Sequence, residues 1–322
     1  MSTVAVGATI IAVGTLLSRI LGLVRENLLV NTFHDRAITD AFLSAFLVPD
    51  MLYYLLAGGA LSAAFIPVFA GYLAKDQHED ANRVGSTIAN LMLIAVLIGL
   101  VFLFIFTPQV VQVIAHGYAP GSPKFNLTVI LAREMCAMII FTALSSLLTG
   151  ILNSYHHFLM PTVIWNTYNL GLIFGIAVLS KIHTPAHLPA FLHWQGNTLG
   201  IHGAALGVLI GALSLVVFQL PAVFKYGFRY APIIDLTHEG VRRVLLLFAP
   251  VVVGLALVQI NQLAIPQIIG SILPDGAVTD IRVANRLVLL PLGLFATAIS
   301  VAAFPRLSQQ ASLGEKRGFS ET

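Results

Sequence analysis

The stretch that decides the fold is residues 1–26, MSTVAVGATIIAVGTLLSRILGLVRE. Its first eighteen residues carry no charged side chain, and an apolar run of that length is a candidate membrane-spanning helix. The run continues beyond Arg19 with ILGLV before Arg25 and Glu26 follow. Because a charge at that depth is costly in lipid, these side chains are expected to face a protein interior or a water-filled cavity.

The composition places the whole chain in the same class. Hydrophobic residues make up 57% of the 322 positions and charged residues 10%, whereas soluble domains are about a quarter charged. The mean hydropathy is +0.90. These values predict an all-α polytopic membrane protein. The net charge of +3 is too small to indicate a nucleic-acid partner. The N-terminus has no basic n-region and no clear cleavage site, which argues against a cleaved signal peptide.

The cysteine and histidine content predicts no metal centre. Cys136, the single cysteine, lies in an apolar run, so a disulfide framework or a cysteine-based metal site is excluded. Most of the ten histidines fall in or beside predicted loops and none has the spacing of a zinc motif. They are expected to be solvated loop residues.

Eight apolar segments predict about eight transmembrane helices. The second is longer than one crossing needs and contains Pro49, the pair Gly58-Gly59 and Pro67. Such breaks are tolerated where a helix lines a cavity, although a bent helix packed on its neighbours would explain them equally well. The excess of loop lysines and arginines favours a cytoplasmic N-terminus. The segments are approximately 4–26, 39–73, 84–107, 127–152, 160–180, 203–224, 244–269 and 278–308.

Two further patterns lie in the later segments. Gly203, Gly207 and Gly211 repeat every four residues, which indicates close packing against another helix. Arg133 and Glu134 are adjacent near the start of the fourth segment, so they point to different sides of that helix. A location at the level of the lipid headgroups is expected for both.

Four stretches resemble the MurJ/MviN family, whose members are lipid II flippases of the MOP superfamily. They are SRILGLVREN, TDAFLSAFLVPD, LAGGALSAAFIPVFAGYLA and, near the other end, ANRLVLLPLGLFATAISVAAFPRLSQQ. The resemblance implies one six-helix MOP-type lobe at 1–224, an inter-lobe cytoplasmic loop at 225–243 and the first two helices of a second lobe at 244–322. Because the family has fourteen helices, the chain is expected to be a fragment or a truncated product.

The resemblance also implies a substrate site. The family's cationic cavity would be represented by Arg19, Arg25 and Arg286, which would bind the substrate diphosphate. Glu26 and Asp40 would support them, and the polar Asn261 of the seventh segment is a further supporting candidate. Asn261 is otherwise explained by a hydrogen bond between helices.

Several positions depart from the family pattern. Tyr53 and Tyr54 stand where many members have two arginines, and Gly58 stands where they have an acidic residue. Ile265 and Pro266 replace an Asp-Arg pair of the seventh helix. Asn285 replaces the aspartate before the arginine of the eighth helix. These departures put the strength of diphosphate binding and the coupling to a cation in question.

The spacing of the first two arginines limits how they could act. Arg19 and Arg25 are six positions apart, which on a helix is about 9 Å along the axis and about 120° around it. They cannot grip one phosphate from a single face, but they can line adjoining walls of one cavity. The planar guanidinium suits bidentate contact with phosphate. Alternatively, Arg25 and Glu26 end the helix at the membrane interface, where long side chains reach water easily.

The function implied by the resemblance is flipping of lipid II, a lipid-linked glycan precursor of the cell wall, across the bacterial cytoplasmic membrane by alternating access. No enzymatic step and no cofactor are expected. Coupling to the membrane potential or to a monovalent cation, and contacts with membrane lipids and cell-wall synthesis proteins, are further expectations. The alternatives are an inactive or scaffold remnant, a flippase for another lipid-linked oligosaccharide, and a MATE-like exporter, which the basic intramembrane charge disfavours.

Overall fold

The computed structural model describes residues 3–56, 60–155, 157, 159–183, 198–261 and 265–288. Within these ranges the chain is almost entirely helical, and its one extended pairing is an isolated bridge between His183 and Thr198. A short 3-10 turn at Leu179–Lys181 follows α7. The helices are α1 Thr3–Thr32, α2 Arg36–Leu56, α3 Ala60–Leu73, α4 His78–Ile114, α5 Pro123–Met135, α6 Met138–Ser154, α7 Leu159–Ala177, α8 Ile201–Lys225, α9 Glu239–Gln259, α10 Ile265–Ile272 and α11 277–288.

The described helices fit a multi-pass membrane protein. Four of them are long and apolar enough to cross a membrane, and a fifth span results if α5 and α6, which meet at a 42° bend, count as one. Few of the apolar residues of α4 and α9 are buried within the bundle, as expected for helices that face lipid. The helices follow the order of the predicted segments. The end of the eighth segment, 289–308, lies outside the described residues.

The second predicted segment forms two helices, α2 and α3, on either side of residues 57–59, which are not described. Pro49 and Pro67 each lie inside a helix. The predicted loop at 75–83 is wrong from residue 78 onward, because α4 begins there. The acidic Glu79 and Asp80 fall in its first turn, where negative charges interact favourably with the helix dipole and stabilise the helix.

The predicted loop at 108–126 begins too early, because α4 passes through Pro108 and ends at Ile114. Proline has no N–H, so it leaves the carbonyl four residues earlier, that of Phe104, without its helical donor. Thr107 Oγ1 donates to this oxygen at 3.2 Å and Arg133 Nε donates to it at 3.2 Å. Polar side chains therefore replace the missing bond and let the helix continue.

Arg133 and Glu134, for which a location at the level of the lipid headgroups stays a prediction, each contact another helix. The Arg133 guanidinium also lies 5.3 Å from the centre of the Phe104 ring. Glu134 lies 2.9 Å from Nδ1 of His202, a residue of α8 that is buried. The expectation of a solvated loop histidine is therefore wrong for His202, because α8 begins one residue before it and carries it into the core.

The glycine stripe of α8 packs against α7. Gly207 lies opposite Gly175 and Gly171, and Gly211 lies against Tyr168. Backbones this close leave no room for side chains between them, and small residues are what allow such an approach in membranes.

The segment between α8 and α9 lies along α4. Asn90 Nδ2 donates to the Ile233 carbonyl at 2.7 Å, and the Ala231 amide donates to Ser86 Oγ at 3.0 Å. Asp235 pairs with Arg83 of α4 at 3.1 Å. Hydrogen bonds from Thr237 lower the pKa of Asp235. This segment belongs to the predicted inter-lobe loop at 225–243, and the proposed division into lobes stays a prediction.

The glycine contact can be tested with Gly207→Val. A Cβ at this position would lie 2.7 Å from Gly175 Cα and 2.9 Å from the Gly171 carbonyl oxygen, so the helices would have to separate. We expect the free energy of unfolding to fall by roughly 1–3 kcal/mol, measured as a lower Tm in detergent. Gly254→Ala is the control, because nothing lies within 4 Å of a Cβ there. Equal Tm values for the two variants would contradict the packing.

Candidate functional site

A cavity of about 550 Å³ lies between α1, α2, α6, α7 and the helices α9 to α11. Most of the charged side chains in its lining are basic. Its charged lining residues are Arg19, Arg25, Asp50, Arg282 and Arg286.

Glu26 is the shared ion-pair partner of three of these arginines. Its carboxylate is buried and forms ion pairs with Arg25 at 3.3 Å and with Arg282 at 3.7 Å. Arg286 is a third partner of the same carboxylate. A buried carboxylate needs compensating charge, and three guanidinium groups supply more than one negative charge can neutralise. The surplus positive charge faces the cavity.

Arg25 is oriented by the neighbouring helix α7. Its Nη1 donates to Asn169 Oδ1 at 3.2 Å. The amide nitrogen of Asn169 donates to Ser18 Oγ at 3.2 Å and to the Trp165 carbonyl at 3.0 Å. Asn169 thus fixes α7 against α1 and holds the guanidinium at the cavity wall. The helix does not end at Arg25 and Glu26, because α1 continues to Thr32, and Arg25 lines the cavity.

Arg286 and Arg282 approach the cavity from α11. They are one helical turn apart, so they share a face of that helix. Arg286 Nη1 also donates to the Gly22 carbonyl at 3.4 Å. Arg282 Nη1 donates to the Leu43 carbonyl at 3.4 Å, and its guanidinium lies 5.4 Å from the centre of the Phe46 ring.

The three arginines predicted from the sequence are therefore brought together. Arg19, Arg25 and Arg286 all line the one cavity, although Arg286 is 261 positions from Arg25 in the chain. Their role in binding a diphosphate stays a prediction.

Asp40 lies elsewhere, in a buried cluster at the opposite end of α2 from Tyr53. Its carboxylate accepts hydrogen bonds from the Gly276 amide at 2.8 Å and the Thr279 amide at 3.0 Å. These amides belong to the first turn of α11 and the residue before it, so Asp40 caps that helix. Lys124 Nζ pairs with Asp40 at 3.0 Å and with Asp275 at 2.7 Å. Asp40 is thus placed to support the position of α11 and not to contact a ligand in the cavity.

Further contacts join the same end of the bundle. Gln267 Nε2 donates to Ser44 Oγ at 2.6 Å, and the Gly117 amide donates to Ser271 Oγ at 3.1 Å. The exposed pair of Arg36 and Asp280 is 3.1 Å apart. Together with the Asp40 cluster, these contacts fasten α10 and α11 to α2, to α5 and to the loop between α4 and α5. We call this set the end cluster.

Asn261 is exposed and is not among the residues that line the cavity. Its neighbours Gln259 and Gln267 line the cavity instead. Of the departures from the family pattern, Tyr53, Pro266 and Asn285 line the cavity. Tyr54 lies in α2 but its side chain is not described, and Gly58 lies outside the described residues.

Sequence reasoning missed Arg282, Asp50 and Asn169. Arg282 had a usable signal, because it stands four residues before Arg286 and so shares its helix face. Asp50 carried a weaker signal, a carboxylate within an apolar segment. Asn169 had none, because a single asparagine in a helix does not reveal which helix it will meet.

Within the described ranges, no three His, Cys, Asp or Glu side chains are grouped as a metal ion would require. The arrangement is instead suited to an anionic group, because the guanidinium groups that line the cavity outnumber the carboxylates.

Comparison of the chain with known proteins identifies one family that it matches. The family model described as lipid II flippase MurJ matches residues 29–322. The "Probable lipid II flippase MurJ" of Buchnera aphidicola subsp. Acyrthosiphon pisum is 30% identical over 302 residues, covering 94% of this chain and 56% of the relative. The lipid II flippase MurJ of Burkholderia cenocepacia is 30% identical over 299 residues, covering 92% of this chain and 55% of that relative. The chain spans about half the length of the curated relatives it matches.

Two solved structures share the fold. A lipid II flippase MurJ in an inward closed conformation superposes with a TM-score of 0.74 at 23% identity, covering 95% of this chain and 59% of the other. A MOP superfamily transporter from Pyrococcus furiosus superposes with a TM-score of 0.56 at 18% identity, covering 93% of this chain and 64% of the other. The all-α MOP-type architecture expected from the sequence is confirmed.

The role of Glu26 can be tested with Glu26→Gln. This change leaves three guanidinium groups without their buried counter-charge, so we expect the free energy of unfolding to fall by roughly 1–3 kcal/mol, less than for a fully buried pair because Arg286 is partly solvated. The measurement is Tm in detergent. Asp280→Asn is the matched control, because it removes a carboxylate from an exposed ion pair and should change stability by less than about 0.5 kcal/mol. A Tm for Glu26→Gln equal to that of the control would contradict the proposed role.

Proposed function

Because the chain belongs to the MurJ family, we propose that it forms the first lobe and the beginning of the second lobe of a flippase that moves lipid II across the bacterial cytoplasmic membrane. The observation that supports this best is the gathering of Arg19, Arg25 and Arg286 around one cavity, with Glu26 buried behind two of them. The proposed orientation has the N-terminus in the cytoplasm, and the proposed substrate is a lipid-linked precursor of peptidoglycan.

The physical task is to carry a diphosphate past the apolar part of the bilayer. An unpaired charge in a medium of low polarity costs many kcal/mol, so the carrier must supply compensating groups. Arginine does so with several N–H donors and a charge that persists at any physiological pH. The cavity has this chemistry on the faces of α1 and α11, and the diphosphate would bind between them.

Movement would follow from separation of the two lobes. The end cluster fastens the helices at one end of the bundle, which is the outer end if the N-terminus is cytoplasmic. Breaking these contacts while others form at the opposite end would expose the cavity to the other side, as in alternating access. The proposal involves no covalent step, so it assigns no nucleophile. A cofactor is not proposed, and coupling to the membrane potential or a monovalent cation is left as a hypothesis, as are contacts with cell-wall synthesis proteins.

An exporter of small cations is disfavoured by the same cavity. Such a transporter would bind its substrate with acidic groups, whereas guanidinium groups predominate here. A remnant that acts as a scaffold remains the alternative, and Tyr53 is the residue that favours it, because it lines the cavity where many members of the family have an arginine.

Lipid II binding and transport test the proposal. We expect Arg25→Ala and Arg286→Ala each to weaken binding of lipid II roughly 10- to 100-fold, the loss expected when charge-assisted hydrogen bonds are removed. The measurement is native mass spectrometry in detergent, with growth of a flippase-depleted strain as the readout of transport. Arg229→Ala is the control, because its side chain is exposed in the segment between α8 and α9.

The same strain separates the alternatives. Rescue by the complete reading frame and failure by residues 1–322 alone would show that the second lobe is required. If the complete reading frame binds lipid II but does not support growth, the scaffold alternative is favoured. If the arginine variants bind lipid II as tightly as the control, the cavity is not the binding site.

The closing role of the end cluster is tested with Asp40→Ala. This variant removes the carboxylate that caps α11 and pairs with Lys124, so the end of the bundle should open more often. A reporter cysteine, Ser271→Cys, is placed in a Cys136→Ser background, because Ser271 is buried in this structure. We expect a membrane-impermeant thiol reagent added outside to label it at least fivefold faster when Asp40 is replaced. Asp76→Asn is the control, because it removes an exposed carboxylate that lies outside the end cluster, and equal labelling of both variants would refute the closing role.

A further inference from the structure

The cavity has a second wall whose chemistry differs from that of the arginines. Trp165 and Tyr168 of α7 and Tyr53 of α2 contribute aromatic rings to the lining. The rings of Trp165 and Tyr168 meet edge to face, with centres 6.0 Å apart and planes at 73°. Trp165 is 41% exposed, although it faces a cavity that also contains charged groups. A large accessible ring in such a place is available to pack against a ligand.

Asp50 lies in the same cavity, and its carboxylate does not suit a diphosphate. A negative side chain would repel a dianionic group, and Arg25 and Arg282 interact with Asp50 electrostatically. A carboxylate that accepts hydrogen bonds does suit the hydroxyl and amide groups of a polar ligand. Asp50 therefore indicates that part of the ligand carries donors and no charge.

An apolar chain would not fit beside Asp50. Placing hydrocarbon against a carboxylate removes water from the charge without replacing its hydrogen bonds, which is costly. Trp165 by itself would accept a polyprenyl tail, but the combination of an open aromatic face and a carboxylate does not. A sugar ring meets both requirements, because its C–H face packs on an aromatic ring while its hydroxyl groups donate to acceptors.

Asn169 connects the side of the cavity that carries the aromatic rings with the side that carries the arginines. Asn169 donates to the Trp165 carbonyl at 3.0 Å and accepts from Arg25 at 3.2 Å. The bond to Trp165 lies within α7, so Asn169 joins the helix that carries Trp165 and Tyr168 to Arg25 of α1. A ligand with a sugar bonded to a diphosphate carries one group suited to each of these two sides of the cavity.

We propose that Trp165, Tyr168 and Asp50 form a subsite for a hexose ring attached to the diphosphate. The indole ring of Trp165 packs against one face of the sugar, and Tyr168 supports the indole ring from its edge. Asp50 accepts hydrogen bonds from sugar hydroxyl or amide groups. The inference rests on the proposed function, since it concerns the same cavity, and it adds that the protein recognises the sugar as well as the diphosphate.

The experiment compares two lipids that differ only in the sugar-peptide headgroup, lipid II and undecaprenyl diphosphate. The protein is purified from its complete reading frame in detergent, and Kd is measured for both lipids by native mass spectrometry. The readout is the preference, defined as the Kd of undecaprenyl diphosphate divided by that of lipid II. The variants are Trp165→Ala, Trp165→Phe and Asp50→Asn. Phe174→Ala is the matched control, because Phe174 is an exposed aromatic residue of α7 that is not among the lining residues.

We expect Trp165→Ala to reduce the preference roughly tenfold, the loss expected from an aromatic contact and its buried area. Trp165→Phe should keep at least a third of the preference. This variant retains an aromatic ring, so it tests the contact even if the alanine variant misfolds. Asp50→Asn should reduce the preference roughly threefold, because a neutral amide accepts a weaker hydrogen bond than a carboxylate. Phe174→Ala should leave it within about twofold.

The outcomes separate the inference from the function on which it rests. If the unaltered protein binds neither lipid, the proposed function fails. If it binds both and Trp165→Ala weakens them equally, there is no sugar subsite. If Asp50→Asn strengthens binding of both lipids by the same factor, Asp50 is only a counter-charge for the arginines, and its role in the subsite is refuted.

Discussion

The buried carboxylate of Glu26 is the interaction on which the site depends. It pairs with arginines from two distant parts of the chain, Arg25 of α1 and Arg282 and Arg286 of α11. A single carboxylate cannot neutralise three guanidinium groups, so the pairing leaves positive charge at the cavity. The charge that holds α1 and α11 together is therefore also the charge that makes the cavity suitable for an anion.

The contacts of Glu26 and Asp40 affect both the position of α11 and the proposed movement of the helices. α11 is held at its first turn by Asp40 and further along by Glu26, so two carboxylates from α1 and α2 determine where it lies. Removing one partner of a buried ion pair is strongly destabilising, because it leaves the other charge buried without compensation. Contacts of this kind would suit the proposed alternating access, because they have well-defined partners, unlike apolar packing.

Much of the fold and part of the site could be predicted. The cost of a charge in lipid predicted that Arg19 and Arg25 would face a cavity, and the structure places both there. The position of Asp40 could not be predicted, because its partners Lys124 and Gly276 are 84 and 236 positions away. His202 was misjudged for a similar reason, since the acceptor that allows its burial, Glu134, lies on another helix.

The sequence by itself determined that the chain is helical, that it belongs in a membrane and that charges were placed where lipid would not tolerate them. These properties follow from composition and from helical spacing, which are local. Only the tertiary structure decided which polar groups reach the cavity, as the contrast between Gln267, which lines it, and Asn261, which is exposed, shows. Spacing reveals which side chains share a helix face, but the neighbour that the face will meet depends on how all the helices pack together.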